Sequence, residues 1–137
     1  MLKQAIPVLH ITNADAAEAF YCGQLGFRLE FQVQASETRR DPCYMGVSRD
    51  GALLYLSGHA GDGVDGGVVY FVCDDVDSLH AEFVAKDVRI HIPPVDQTWG
   101  MRELYVLDPD GNSVRFGAPV TGCANGNALR EGSIVKL

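Results

Sequence analysis

The chain has 137 residues, enough for one domain or two small modules sharing a core, and its 47% hydrophobic and 21% charged content is ordinary for a globular protein. Its 11 basic and 18 acidic residues give a net charge of −7, which argues against nucleic acid as a partner, because such binding rests on Lys and Arg neutralising phosphates. No apolar run approaches the ~20 residues of a membrane span and residues 1–7 lack the apolar stretch of a signal peptide, so the sequence predicts a cytoplasmic protein with no membrane partner.

Residues 6–11 read as a strand. Thr12 and Asn13 offer capping side chains for a helix over 14–25, in which Ala17, Phe20, Tyr21 and Leu25 share a stripe. Gly26 suits the position that ends a helix. A strand over 27–34 is followed by a polar, exposed loop at 35–42. Strands over 43–48 and 52–57 are joined by Arg49-Asp50-Gly51, a hairpin signal. Residues 58–67 hold five of the 15 glycines. They lack a Gly-Lys-Ser/Thr ending and lead into a strand rather than a helix, so they read as a linker and not as a phosphate loop.

The order then repeats. A strand over 67–73 precedes Asp74-Asp75, a cap for a helix over 76–86 with Val76, Leu79 and Phe83 on one face. A short strand over 88–95 is interrupted by Pro93-Pro94. Strands over 101–107 and 113–116 flank Asp108-Pro109-Asp110-Gly111-Asn112, in which Pro presets φ, Gly supplies positive φ, and Asp and Asn bond to nearby backbone. The fold class is α+β: two βαβββ modules, 1–60 and 66–118, in one domain over 1–118. An extension over 119–137 follows, with a short helix at 127–131. Cys22, Cys43, Cys73 and Cys123 form no CxxC pair and read as small buried hydrophobes, not as a zinc site or disulfide framework.

Three segments carry a resemblance: Phe20-Tyr21 with Leu25-Gly26-Phe27, residues 71–77, and Trp99-Gly100-Met101-Arg102-Glu103 with the Asp108–Asn112 turn. Together they resemble the glyoxalase/bleomycin-resistance/dioxygenase (vicinal oxygen chelate) superfamily, and the Trp99–Glu103 segment is similar to its bleomycin-resistance branch. The resemblance implies curved mixed sheets around a cleft with helices outside. It also implies a homodimer that exchanges its N-terminal strand. Metal-dependent members of that superfamily carry ligands on the first strand of each module and on the last strand. Counting from the shared segments puts those positions at Ile6, Val68 and Arg115, none of which can ligate a divalent cation. No metal ligand, cofactor or catalytic residue is therefore assigned.

Strand alternation sorts the remaining side chains. Leu9, Ile11, Leu54, Leu56, Val69, Phe71, Leu104, Val106, Val114 and Phe116 fall on the faces toward the helices. His10, Tyr55, Tyr70, Glu103, Tyr105 and Arg115 fall on the opposite faces. With Trp99 and Arg102 they form the predicted ligand-binding set. Aromatic walls with a few polar groups describe a site for a planar or amphipathic ligand; tyrosines packing a dimer interface, and a structural ion pair of Glu103 with Arg102 and Arg115, are the bland alternatives. No base paired with a nucleophile is visible, so the reading leans away from an enzyme. It favours a metal-independent small-molecule-binding protein that sequesters a cationic, aromatic antibiotic of the bleomycin type. The alternatives are a superfamily lyase, isomerase or dioxygenase with an atypical site, and a binding protein for a non-antibiotic metabolite.

Overall fold

The computed structural model describes residues 1–120; the expected helix at 127–131 lies outside the described residues. Two four-stranded open sheets are present, each built by one β-α-β-β-β run. The described residues divide into two units: Met1–Val69 with Leu107–Ser113, and Tyr70–Val106 with residues 114–120.

The first sheet contains β1 (Val8–His10), β2 (Arg28–Val33), β3 (Tyr44–Arg49) and β4 (Ala52–Ser57) in the order β1-β4-β3-β2. β1 runs parallel to β4 of the same chain, with Val8 opposite Tyr55 and His10 opposite Ser57. Asp50 and Gly51 both have positive φ (52° and 84°), the backbone of the tight hairpin turn that joins β3 to β4.

The helix expected over 14–25 changes type along its length. Asn13 caps α1 (Ala14–Glu18) by accepting from the Ala16 amide at 2.8 Å. Ala19–Gln24 then widens into π-helical turns, with the Leu25 amide donating to the Phe20 carbonyl. Ala17, Phe20, Tyr21 and Leu25, the expected stripe, are all buried. The loop at 35–42 is tied to this helix by Arg40, whose guanidinium pairs with Asp15 and Glu18. In β2 a register shift between Leu29 and Phe31 places Leu29 opposite the buried Val47 and Phe31 opposite Gly46.

The Asp108–Asn112 turn belongs to this first unit, where it does more than reverse the chain. Asp108 is 1% exposed. Its carboxylate accepts from the Tyr21 hydroxyl (2.8 Å), the Asn112 side-chain amide (2.8 Å), and the backbone amides of Asp110 (2.9 Å) and Asn112 (2.8 Å). Asn112 is fully buried. Its Nδ2 also donates to the His10 carbonyl, and its Oδ1 accepts from the Gly67 amide, each at 2.8 Å. Thr12 donates to Asp110 through its hydroxyl at 2.6 Å. The signature turn is therefore a buried polar knot that fastens β1, the helix and the glycine-rich linker.

The second sheet has the order β5-β8-β7-β6, from β5 (Val68–Val72), β6 (Ile90–Asp96), β7 (Met101–Leu107) and β8 (Ser113–Pro119). Asp75 caps α2 (Val76–Ala85) through the Ser78 amide at 3.0 Å. The alternation expected for β5 is present: Val69 is buried, while Val68, Tyr70 and Val72 are exposed. In the second unit Phe83, Leu104, Val106, Val114 and Phe116 form the core, and the Phe83 and Phe116 rings lie 5.2 Å apart. Pro93-Pro94 does not interrupt β6 as expected. β6 is an edge strand, where a missing amide need not break a ladder, and a register shift between Ile92 and Val95 absorbs the prolines.

Of the cysteines described, Cys43 is buried as expected, whereas Cys22 and Cys73 are only half-buried; all three are free thiols.

Candidate functional site

The second unit gathers five of the predicted residues. Glu103 on β7 is 2% exposed. Its Oε2 accepts from the Tyr70 hydroxyl of β5 at 2.7 Å and from the Trp99 indole N–H at 3.1 Å. Its Oε1 accepts from the Tyr105 hydroxyl at 2.8 Å. The Arg115 guanidinium of β8 stacks 4.3 Å from the centre of the Tyr105 ring, within cation–π range. Strand parity explains the grouping: Glu103 and Tyr105 share a face of β7, opposite that of Leu104 and Val106. Trp99 comes from the β6–β7 turn, where Gly100 has φ 87°.

The Glu103 carboxylate thus accepts from three neutral aromatic donors. Of the two arginines in the alternative ion-pair reading, Arg102 pairs with Asp77 and Asp96. A buried carboxylate is tolerable when hydrogen bonds replace its hydration. Here those bonds also fix the positions of three ring systems, two tyrosines and the single tryptophan.

Arg102 lies elsewhere. It shares parity with Leu104 and Val106, and its guanidinium bonds both oxygens of Asp77 on α2 (2.9 and 3.0 Å) and Asp96 on β6 (3.0 Å). His10 and Tyr55 belong to the first unit. His10 Nδ1 is hydrogen-bonded to the Asp62 carbonyl of the linker at 3.0 Å. Tyr55 packs with Phe31 (5.2 Å between ring centres) and Tyr44 (5.7 Å) beside a groove of about 400 Å³ that Arg28, Glu30 and Ser48 also line. Sequence reasoning named only Tyr55 in that cluster. Gly46, a glycine within a strand, was the available signal, since such a glycine marks close approach of another group. Gly117 on β8 carries the same signal in the second unit.

The donor set does not suit a metal ion. Ile6 and Val68 are aliphatic, Arg115 is a cation stacked on a tyrosine, and the oxygens of Glu103 are engaged by three donors. Among the described residues no group of three His, Cys, Asp or Glu side chains is placed to hold a metal. No helix among them is long and apolar enough to cross a membrane.

Burial, then the hydrogen bond to Glu103, raises the phenol pKa of both Tyr70 and Tyr105. Burial and Asp108 raise that of Tyr21. Raised phenols stay neutral in the fold while the unfolded chain ionises. Their contribution to stability is therefore complete below about pH 10 and is lost as pH rises above it toward the folded-state values. Urea midpoints measured across this alkaline range are expected to fall, and to fall less steeply in Y21F and Y70F.

A family model described as glyoxalase superfamily protein matches residues 1–123. Among curated proteins nothing matches the chain. Among solved structures, a bleomycin-binding protein complexed with bleomycin is 25% identical, with TM-score 0.68, over 87% of this chain and 100% of that one. A bleomycin resistance determinant encoded on the transposon Tn5 is 25% identical, with TM-score 0.69, over 86% and 98%. A lactoylglutathione lyase from Agrobacterium tumefaciens is 23% identical, with TM-score 0.68, over 85% and 94%, and supports the fold alone. By the family match over most of its length, together with two βαβββ runs and open sheets, the chain belongs to the glyoxalase superfamily.

Proposed function

We propose that this chain is a metal-independent small-molecule-binding protein that sequesters its ligand without breaking a bond, and that the ligand is a cationic, aromatic antibiotic of the bleomycin type. The observation that carries the reading is the set of rings held by Glu103: Tyr70, Trp99 and Tyr105 are part-exposed, yet each is pinned by a hydrogen bond to one buried carboxylate. Rings fixed before the ligand arrives lose little freedom on binding, which is how a preorganised surface gains affinity. The bleomycin-binding and bleomycin-resistance neighbours support the antibiotic class, and a net charge of −7 suits a cation. In this reading Arg115 and the three rings contact the ligand, Glu103 holds the rings, and Arg102 supports β7 from its other face. His10 and Tyr55 offer ligand contacts of their own in the first unit, and the protein acts as a cytoplasmic homodimer.

Titration with bleomycin, followed by the fluorescence of Trp99 and by calorimetry, is expected to give a saturable change at micromolar ligand or below. The antibiotic should be recovered chemically unchanged by chromatography. Absence of saturation in both signals would reject bleomycin as the ligand; turnover of the antibiotic would reject sequestration.

A further inference from the structure

Gly117 lies in β8, one strand from the Glu103 cluster, and makes no turn. Its φ lies outside the left-handed region that favours glycine, so the backbone there suits any residue. What excludes a side chain is Tyr70. A Cβ built on Gly117 would stand 1.8 Å from the Tyr70 hydroxyl oxygen and 2.5 Å from Cζ, both far inside van der Waals contact, and 3.1 Å from Cε1. Those three atoms are the nearest to the position, and that same hydroxyl reaches Glu103 at 2.7 Å. The first sheet repeats the device: a Cβ on Gly46 would stand 2.3 Å from Cε1 of Phe31, whose ring packs on Tyr55. In each sheet an aromatic side chain from a neighbouring strand occupies the space of a missing methyl group, a pairing in which the ring also shields the exposed glycine backbone.

We infer that Gly117 is a positioning residue of the candidate site: its lack of a side chain opens the passage through which Tyr70 crosses β8 to donate to Glu103. A methyl group at 117 and the Tyr70–Glu103 hydrogen bond exclude one another. Glycine at 117 therefore sets how many donors the buried carboxylate has, and where one wall of the ring cluster stands. This follows from geometry and holds whatever the site binds; only its effect on affinity rests on the function proposed above.

The test compares G117A with the parent chain. The ionisation of Tyr70 is isolated as the difference between phenolate absorbance titrations with and without Y70F in each background. Released from Glu103, the Tyr70 phenol is expected to become at least tenfold more acidic in G117A. A second comparison uses Y70A, which removes the clashing ring: G117A should destabilise the parent but leave Y70A almost unchanged in urea midpoint. An unchanged Tyr70 titration, or equal destabilisation by G117A with and without Tyr70, would overturn the inference. Bleomycin titration of G117A is read separately. At least tenfold weaker binding is expected where the parent binds, and a parent that does not bind leaves the two spectroscopic and stability comparisons intact.

Discussion

Replacing Asp108 with alanine is expected to destabilise the protein by about 4 kcal/mol, at the upper end for a single substitution. The side chain is 1% exposed and accepts four hydrogen bonds. Without it the Tyr21 hydroxyl and both Asn112 donors lose an acceptor in a place water does not reach, and each stranded donor costs about 1–3 kcal/mol. The costs are not additive, because the freed groups share neighbours and relax together. Asp108→Asn should be milder, about 2 kcal/mol, since the amide keeps one accepting oxygen but turns a donor toward groups that themselves donate. Tyr21→Phe removes a single bond and should cost about 1 kcal/mol. The check is the urea midpoint at constant denaturant slope. A loss below about 1 kcal/mol for the alanine variant would mean that the knot is replaceable by solvent.

The second large effect is expected at Glu103, where two substitutions separate charge from geometry. Glutamine preserves the volume and, because a phenol can accept as well as donate, Tyr105 can turn to receive the new amide N–H. E103Q should therefore keep the rings in place at a cost of about 1 kcal/mol. It should also bring the Tyr70 and Tyr105 phenols part of the way back toward their usual pKa, because the carboxylate's contribution is lost and that of burial remains. E103A removes the anchor. Tyr70, Trp99 and Tyr105 would then each lose their acceptor, and bleomycin affinity is expected to fall at least tenfold through loss of preorganisation. Phenolate absorbance and Trp99 fluorescence read both variants. Unaltered affinity in E103A would show that the rings do not need the carboxylate to bind.

Strand faces were legible in the sequence because alternation is local. The positions assigned to the core by parity, among them Leu54, Leu56, Leu104, Val106 and Val114, have no exposed surface. Turn chemistry was legible for the same reason at Asp50-Gly51, where both residues adopt the positive φ the hairpin needs. Long-range hydrogen bonding was not. The turn at 108–112 reads as local chain reversal, yet Tyr21 reaches Asp108 across 87 residues and Asn112 reaches His10 across 102. No periodicity within a segment encodes such partners.

The site shows the same division. Glu103, Tyr105, Tyr70 and Arg115 were placed by parity and lie together. Arg102 was grouped with its neighbour Glu103 by adjacency, against the parity that sends it to Asp77 and Asp96. That the carboxylate would bond two phenols and an indole, while Arg102 turned to Asp77 and Asp96, depends on side-chain reach across strands, which one sequence does not display. Helix type was hidden too: nothing in the apolar stripe of 14–25 separates the α geometry of 14–18 from the π geometry of 19–24.

The knot at Asp108 and Asn112 has a consequence for how the chain comes into being. The amide of Gly67, the carbonyl of His10 and the hydroxyl of Tyr21 are made early in synthesis, but the side chains that satisfy them emerge more than 40 residues after Gly67. During elongation the first sheet must wait, with these polar groups hydrated and its packing unfinished, until the β7–β8 hairpin leaves the ribosome. The final lock is a closure of high sequence separation, the kind of step that slows folding. A nascent chain of this protein is thus exposed to chaperones and proteases until residues 108–112 have emerged, and its first sheet reaches maturity only with that turn.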